Sequence, residues 1–119
     1  MKTGTAILAV LAILLSIPGA SRAEELMVYT SRNIALLQPV LAAYGRESGV
    51  RVGHETGKAE ALIDRILSEG TSTEADLLIT TDAGSLWRAA EEGLLETLAD
   101  QALLDNVPGH MRDPQGRWF

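Results

Sequence analysis

Apolar residues recur along this chain in two rhythms, short continuous runs and longer stretches with helical spacing. Leu26 to Tyr29 and Ala75 to Ile79, the latter with Asp76 inside it, are such runs, and Val50 to His54 between them is read as the second of three strands. Runs of that length with little polar alternation predict strands covered on both faces, as in a parallel sheet. Between the second and third, Ala59, Leu62, Ile63, Ile66 and Leu67 share one face of a helix that opens at Gly57-Lys58 and stops at Gly70. Val40, Leu41 and Tyr44 mark an earlier helix that ends at Gly49. There Asn33 is expected to cap a short turn through Ile34 to Leu37. The helix proper is expected to start at Pro39, because proline suits a first helical turn and disrupts an interior.

A third helix, capped by Thr81 or Asp82, is expected to turn Leu86, Trp87 and Ala90 toward the sheet and to stop at Gly93. Leu94, Leu95 and Leu98 should tuck back onto the core. A helical turn around Gln101 to Leu104 and a polar loop framed by Pro108 and Pro114 follow. The order β-α-β-α-β-α predicts an α/β fold, with parallel strands and helices on both faces. Trp118-Phe119 reads as the opening of a further buried strand. Three strands leave two sheet edges open, so the stretch is expected to be part of a larger lobe, marginal and aggregation-prone alone.

The N-terminal run changes how much of the chain counts toward that fold. Lys2 precedes an almost wholly apolar Thr5 to Ile17, Pro18-Gly19 breaks the run, and Ser21-Arg22-Ala23 offers small residues at a cleavage site. This order predicts a secretory signal peptide over residues 1–23 and a mature segment over 24–119. The run is shorter than the roughly 20 residues a membrane span requires, so no stable membrane insertion is expected after cleavage. Without Lys2 and Arg22, 8 basic residues face 16 acidic ones, a net charge of −8. That balance argues against nucleic acid or an anionic membrane as partner. The sequence has no cysteine, which excludes disulfides, thiolate chemistry and cysteine-held zinc.

In a parallel sheet the carboxyl ends of all strands lie on one rim, where open α/β sheets bind ligands. Here those ends carry Ser31, Arg32, Asn33, Gly57, Lys58, Thr80, Thr81 and Asp82, with Thr30 and Thr56 beside them. Each stands before a helix N-terminus, whose N–H groups and dipole favour an anion. Gly57 permits close backbone approach, and the hydroxyls and Arg32 suit an oxygen-rich ligand. The plain alternative for each residue is helix capping. Gly57-Lys58 lacks the other glycines and the following Ser or Thr of a P-loop. His54 and Glu55 are neighbours on a strand and point to opposite faces, which makes them a poor metal pair. His110 falls in the terminal loop, and Tyr29 and Trp87 read as core. Ser31 and Ser85 have no nucleophile-elbow context, and no acid–base carboxylate pair stands out. No enzyme is expected.

The stretches VYTSRN (Val28 to Asn33), LAAYGRESGVRV (Leu41 to Val52), GKAEALIDRILSEG (Gly57 to Gly70), ADLLITTDAGSLWRAAEEGLL (Ala75 to Leu95) and RDPQGRWF (Arg112 to Phe119) occur in that order. Together they resemble the periplasmic ferric-iron-binding proteins of ABC importers, over essentially all of Glu25 to Phe119. The resemblance implies the first part of the first lobe of a type II periplasmic binding protein. It also implies non-catalytic capture of Fe(III), with a synergistic anion, for delivery to a membrane permease. In that family a later segment completes the first lobe's sheet, and the second lobe supplies consecutive tyrosines to the iron. Members with a first-lobe histidine, or histidine-tyrosine, place it at positions that are Asn33 and Ile34 here. Others use a glutamate at the position of Thr81. No metal ligand is therefore assigned in this chain. The resemblance implies that Arg32, Asn33 and the Thr80-Thr81 turn support the anion. The other readings are an exported anion-binding protein without metal, and a nonfunctional gene fragment.

Overall fold

The computed structural model describes residues 24–119, so the expected signal peptide lies outside the described residues. Three strands, β1 (Glu25–Thr30), β2 (Arg51–Thr56) and β3 (Leu77–Ile79), form one sheet in the order β2-β1-β3. All pairings are parallel, with Val28 level with His54 and Leu77, and Thr30 level with Thr56 and Ile79. The central place falls to β1, the most buried strand. Val28, Tyr29 and Thr30 are each at most 1% exposed.

Helices α1 (Ile34–Ser48), α2 (Ala59–Glu69) and α3 (Ala83–Glu91) follow the strands in turn, and a short α4 (Gln101–Asp105) comes last. Level residues of a parallel sheet share a face. Met27, Tyr29, Glu55 and Leu78 thus lie on one side, and Val28, Thr30, His54 and Leu77 on the other. On the first side Tyr29 packs with Leu62 and Ile66 of α2, and Met27, Ala75, Leu78 and Leu94 close around them. An Arg88–Asp64 ion pair at 2.6 Å links α3 to α2. On the second side α1 lies over β2, leaving a groove of about 110 Å³ between Gln38, Leu41, Ala42, Gly45, Val52 and His54.

Helix α1 departs from expectation. It is continuous from Ile34, with Pro39 inside it. The Asn33 side chain accepts from the Ala35 N–H at 3.0 Å, and the Leu36 N–H bonds the Asn33 carbonyl at 3.1 Å. These contacts start the helix before Pro39 is reached. The proline still removes the bond that would reach the Ala35 carbonyl. Both residues are exposed, which leaves that stretch of the helix open to water. The helix ends where Gly49 takes φ 73°, a conformation that a Cβ would penalise.

Three further expectations are corrected. Of the Val40, Leu41 and Tyr44 stripe only Leu41 is buried, and Leu36, Val40 and Tyr44 form an exposed row at four-residue spacing. Trp87 is 58% exposed, because α3 buries Ala89 and Ala90 and thereby rotates Trp87 outward. Trp118-Phe119 forms no strand. Instead the Asp113 N–H donates to the Trp118 carbonyl at 2.9 Å, and the nearly buried Asp113 carboxylate takes Arg117 in a two-pronged pair. Arg117 also reaches the Ala90 carbonyl and Glu91, so the RDPQGRWF stretch is fastened to the end of α3.

Candidate functional site

The rim consists of three lips, one after each strand. In chain order the first is Ser31-Arg32-Asn33, the middle one, after the edge strand β2, is Gly57-Lys58, and the third is Thr80-Thr81-Asp82. Parallel register brings them to one edge, since Thr30, Thr56 and Ile79 are level. Backbone bonds fasten them together: the Ser31 N–H donates to Ile79 at 3.0 Å and the Gly57 N–H to Thr30 at 3.1 Å. The Ser31 hydroxyl accepts from the Thr81 N–H at 3.2 Å, a direct bond between the first and third lips.

Several of the expected site residues are already occupied locally. Asn33 caps α1. Asp82 caps α3, one carboxylate oxygen accepting from the Ser85 N–H at 2.8 Å and the other from its hydroxyl at 3.0 Å. Those two bonds, the backbone one foremost, hold the Asp82 carboxyl below the usual carboxylate range. The Thr80 hydroxyl is buried and donates to the Asp82 carbonyl at 2.7 Å. The charged side chains that face solvent freely are cationic, Arg32 and Lys58, which are exposed and form no ion pair among the described residues; Thr81 is exposed beside them.

The middle lip differs from the other two. Lys58 stands at the N-cap of α2 and contributes no side-chain bond to it. A Cβ at Gly57 would come within 3.3 Å of the Leu62 side chain, a tight contact. Among the described residues no three His, Cys, Asp or Glu side chains gather as a metal would require. His54 and Glu55 diverge as strand neighbours must: His54 lines the α1 groove and Glu55 turns toward α2.

One polar cluster was not legible from strand patterns. The Arg65 guanidinium lies 4.9 Å from the centre of the buried Tyr29 ring, at a cation–π distance. It donates to Glu69 at 2.6 Å and to Glu55 at 3.2 Å. Glu69 also accepts from the Thr73 hydroxyl at 2.8 Å. Arg65 foremost, and Thr73 next, hold the Glu69 carboxyl low, while burial pushes the Tyr29 phenol up. The i,i+4 spacing of Arg65 and Glu69 was the available signal. The link to Glu55 needed the sheet.

No family model matches the chain. It is 38% identical over 96 residues to iron uptake protein A1 of Synechocystis sp., covering 81% of this chain and 27% of that protein. It is 32% identical over 116 residues to iron uptake protein A2 of the same organism, covering 98% and 32%. A solved Trichodesmium protein, IdiA or FutA, in complex with iron and citrate superposes with a TM-score of 0.76 at 36% identity, over 80% of this chain and 30% of that one. The chain thus spans about three tenths of the length of the proteins it matches. Its three-stranded parallel sheet with flanking helices matches part of their fold, that of type II periplasmic binding proteins. By sequence and by fold, this chain resembles part of the iron uptake and ferric-iron-binding proteins.

Proposed function

We propose that residues 24–119 are part of the N-terminal lobe of an extracytoplasmic solute-binding protein for Fe(III), following a cleaved leader over residues 1–23. In this reading the protein captures Fe(III) without catalysis and passes it to the membrane permease of an ABC importer from the periplasm. The observation that carries it is the 38% identity to an iron uptake protein, matched in fold by a relative solved with iron and citrate. The rim residues Ser31, Arg32, Asn33, Gly57, Lys58, Thr80, Thr81 and Asp82 form this lobe's side of the ligand cleft. Their chemistry suits the anion that accompanies iron better than the ion itself. A hard trivalent ion prefers charged oxygen donors, and the rim's one carboxylate, Asp82, has both oxygens engaged by Ser85.

That same observation supports a second reading, an anion-binding protein without metal. Titration of a protein carrying this segment together with the second lobe, with ferric citrate and separately with citrate alone, distinguishes them. Iron co-eluting with the protein on gel filtration supports Fe(III) capture. Saturable citrate binding without iron retention supports the second reading, and no binding of either overturns both. N-terminal sequencing of exported protein, expected to begin at Glu24, tests the leader.

A further inference from the structure

Two lips of the rim are fixed by side-chain caps, Asn33 on α1 and Asp82 on α3. The middle lip has none. Its backbone ties are the Gly57 N–H to Thr30 bond at 3.1 Å and the Leu62 N–H to Lys58 bond at 3.0 Å. The nearest side-chain restraint lies two residues back, where Glu55 of β2 accepts from Arg65 of α2 at 3.2 Å. Arg65 is itself set by Glu69 and by the Tyr29 ring, and Glu69 is bonded to Thr73 in the approach to β3. One guanidinium therefore joins both sides of the Gly57-Lys58 turn, the strand that enters it and the helix that leaves it. Its planar fork makes both carboxylate contacts while stacking on the ring, which an ammonium does not reproduce.

We propose that Arg65, acting through Glu55, is the positioning residue of the middle lip. It holds Gly57-Lys58 level with the other two lips in place of the missing cap. This rests on reading the rim as the ligand edge.

The test compares wild type with R65M, R65K and E55Q, using amide hydrogen exchange and ferric citrate titration on the full chain. In R65M and E55Q, exchange at Gly57 should rise while exchange at Val28 and Ile63 stays as in wild type. A half-exposed pair supports effects up to about fivefold, so apparent ferric citrate affinity should fall by that much or less. R65K should recover part of the loss, and the double variant R65M/E55Q should add little to R65M alone. Unchanged Gly57 exchange, or an equal rise throughout the sheet, overturns the proposal, the latter by making Arg65 a general stabiliser. If wild type binds no ferric citrate, the functional reading fails, and Gly57 exchange still decides the positioning role.

Discussion

The Ser31 hydroxyl accepts the backbone N–H of Thr81 at 3.2 Å, joining lips that are 50 residues apart in sequence. The ends of β1 and β3, already level in the ladder at Thr30 and Ile79, are thereby also held together just beyond it. The bond gives Ser31 a structural task beside any role in binding.

Ser31→Ala should remove that tie. The expected cost is about 0.5–1.5 kcal/mol, the usual worth of one such bond. Urea midpoints measure it, and faster exchange of the Thr81 amide would locate the change at the third lip.

Asn33 separates capping from ligation. Asn33→Ala should cost about 1 kcal/mol through loss of the cap. Asn33→Asp keeps an acceptor for the Ala35 N–H and adds an anionic oxygen beside Arg32, so stability should stay close to wild type. Iron retention should rise in that variant, because Fe(III) favours charged oxygen donors. Metal content after gel filtration checks it.

Ile63 and Leu36 mark the two extremes of burial. Ile63 is fully buried and Leu36 is 79% exposed. Ile63→Ala should therefore cost about 2–5 kcal/mol, which unfolds much of a marginal chain, while Leu36→Ala should stay within about 0.5 kcal/mol of wild type. Thermal melts followed by circular dichroism distinguish them.

The exposed row Leu36, Val40 and Tyr44, with the open edges β2 and β3, makes self-association the expected behaviour. The double variant L36K/V40K should remain monomeric at higher concentration with little change in urea midpoint. Light scattering against concentration checks it.

Acid should destabilise the fold. Arg117 holds the Asp113 carboxyl low, Arg65 that of Glu69, and the Ser85 N–H that of Asp82. The unfolded chain thus binds more protons near its ordinary carboxylate pKa of about 4. Stability from these groups is present above that pH and is lost as pH falls through the lower folded values. Unfolding curves between pH 6 and 2 should show the decline, and D113N should flatten part of it while lowering stability at neutral pH.

The strands and α2 were legible because their apolar spacing is local, but burial followed it only in β1 and over most of the α2 face: Leu77 of β3 is 44% exposed and Leu67 of α2 38%. Val28 and Tyr29 lie in the core as their run predicts, and Gly49 ends α1 as its position predicts. Pro39 misled because the Asn33 cap, rather than the proline, sets where α1 begins. Trp87 misled because small Ala89 and Ala90 take the buried face of α3. In β3 the short strand is extended by Asp76, whose carboxylate accepts from the Met27 N–H at 2.8 Å while its N–H donates to the Met27 carbonyl at 2.9 Å. No periodicity announces such a bond.

The sequence by itself determined the α/β order, the parallel sheet and the residues that reach its rim, since strand and helix periods and the hand of the crossovers leave little choice. Only the tertiary structure decided which rim side chains are free. Asn33, Asp82 and Ser31 are engaged by backbone N–H groups, Arg32 and Lys58 remain open to solvent, and Arg65 reaches Glu55 from another element. Residue type states what a side chain is able to bond. The packing of strands against helices determines which partner lies within 3 Å or so of it, and so what remains for a ligand.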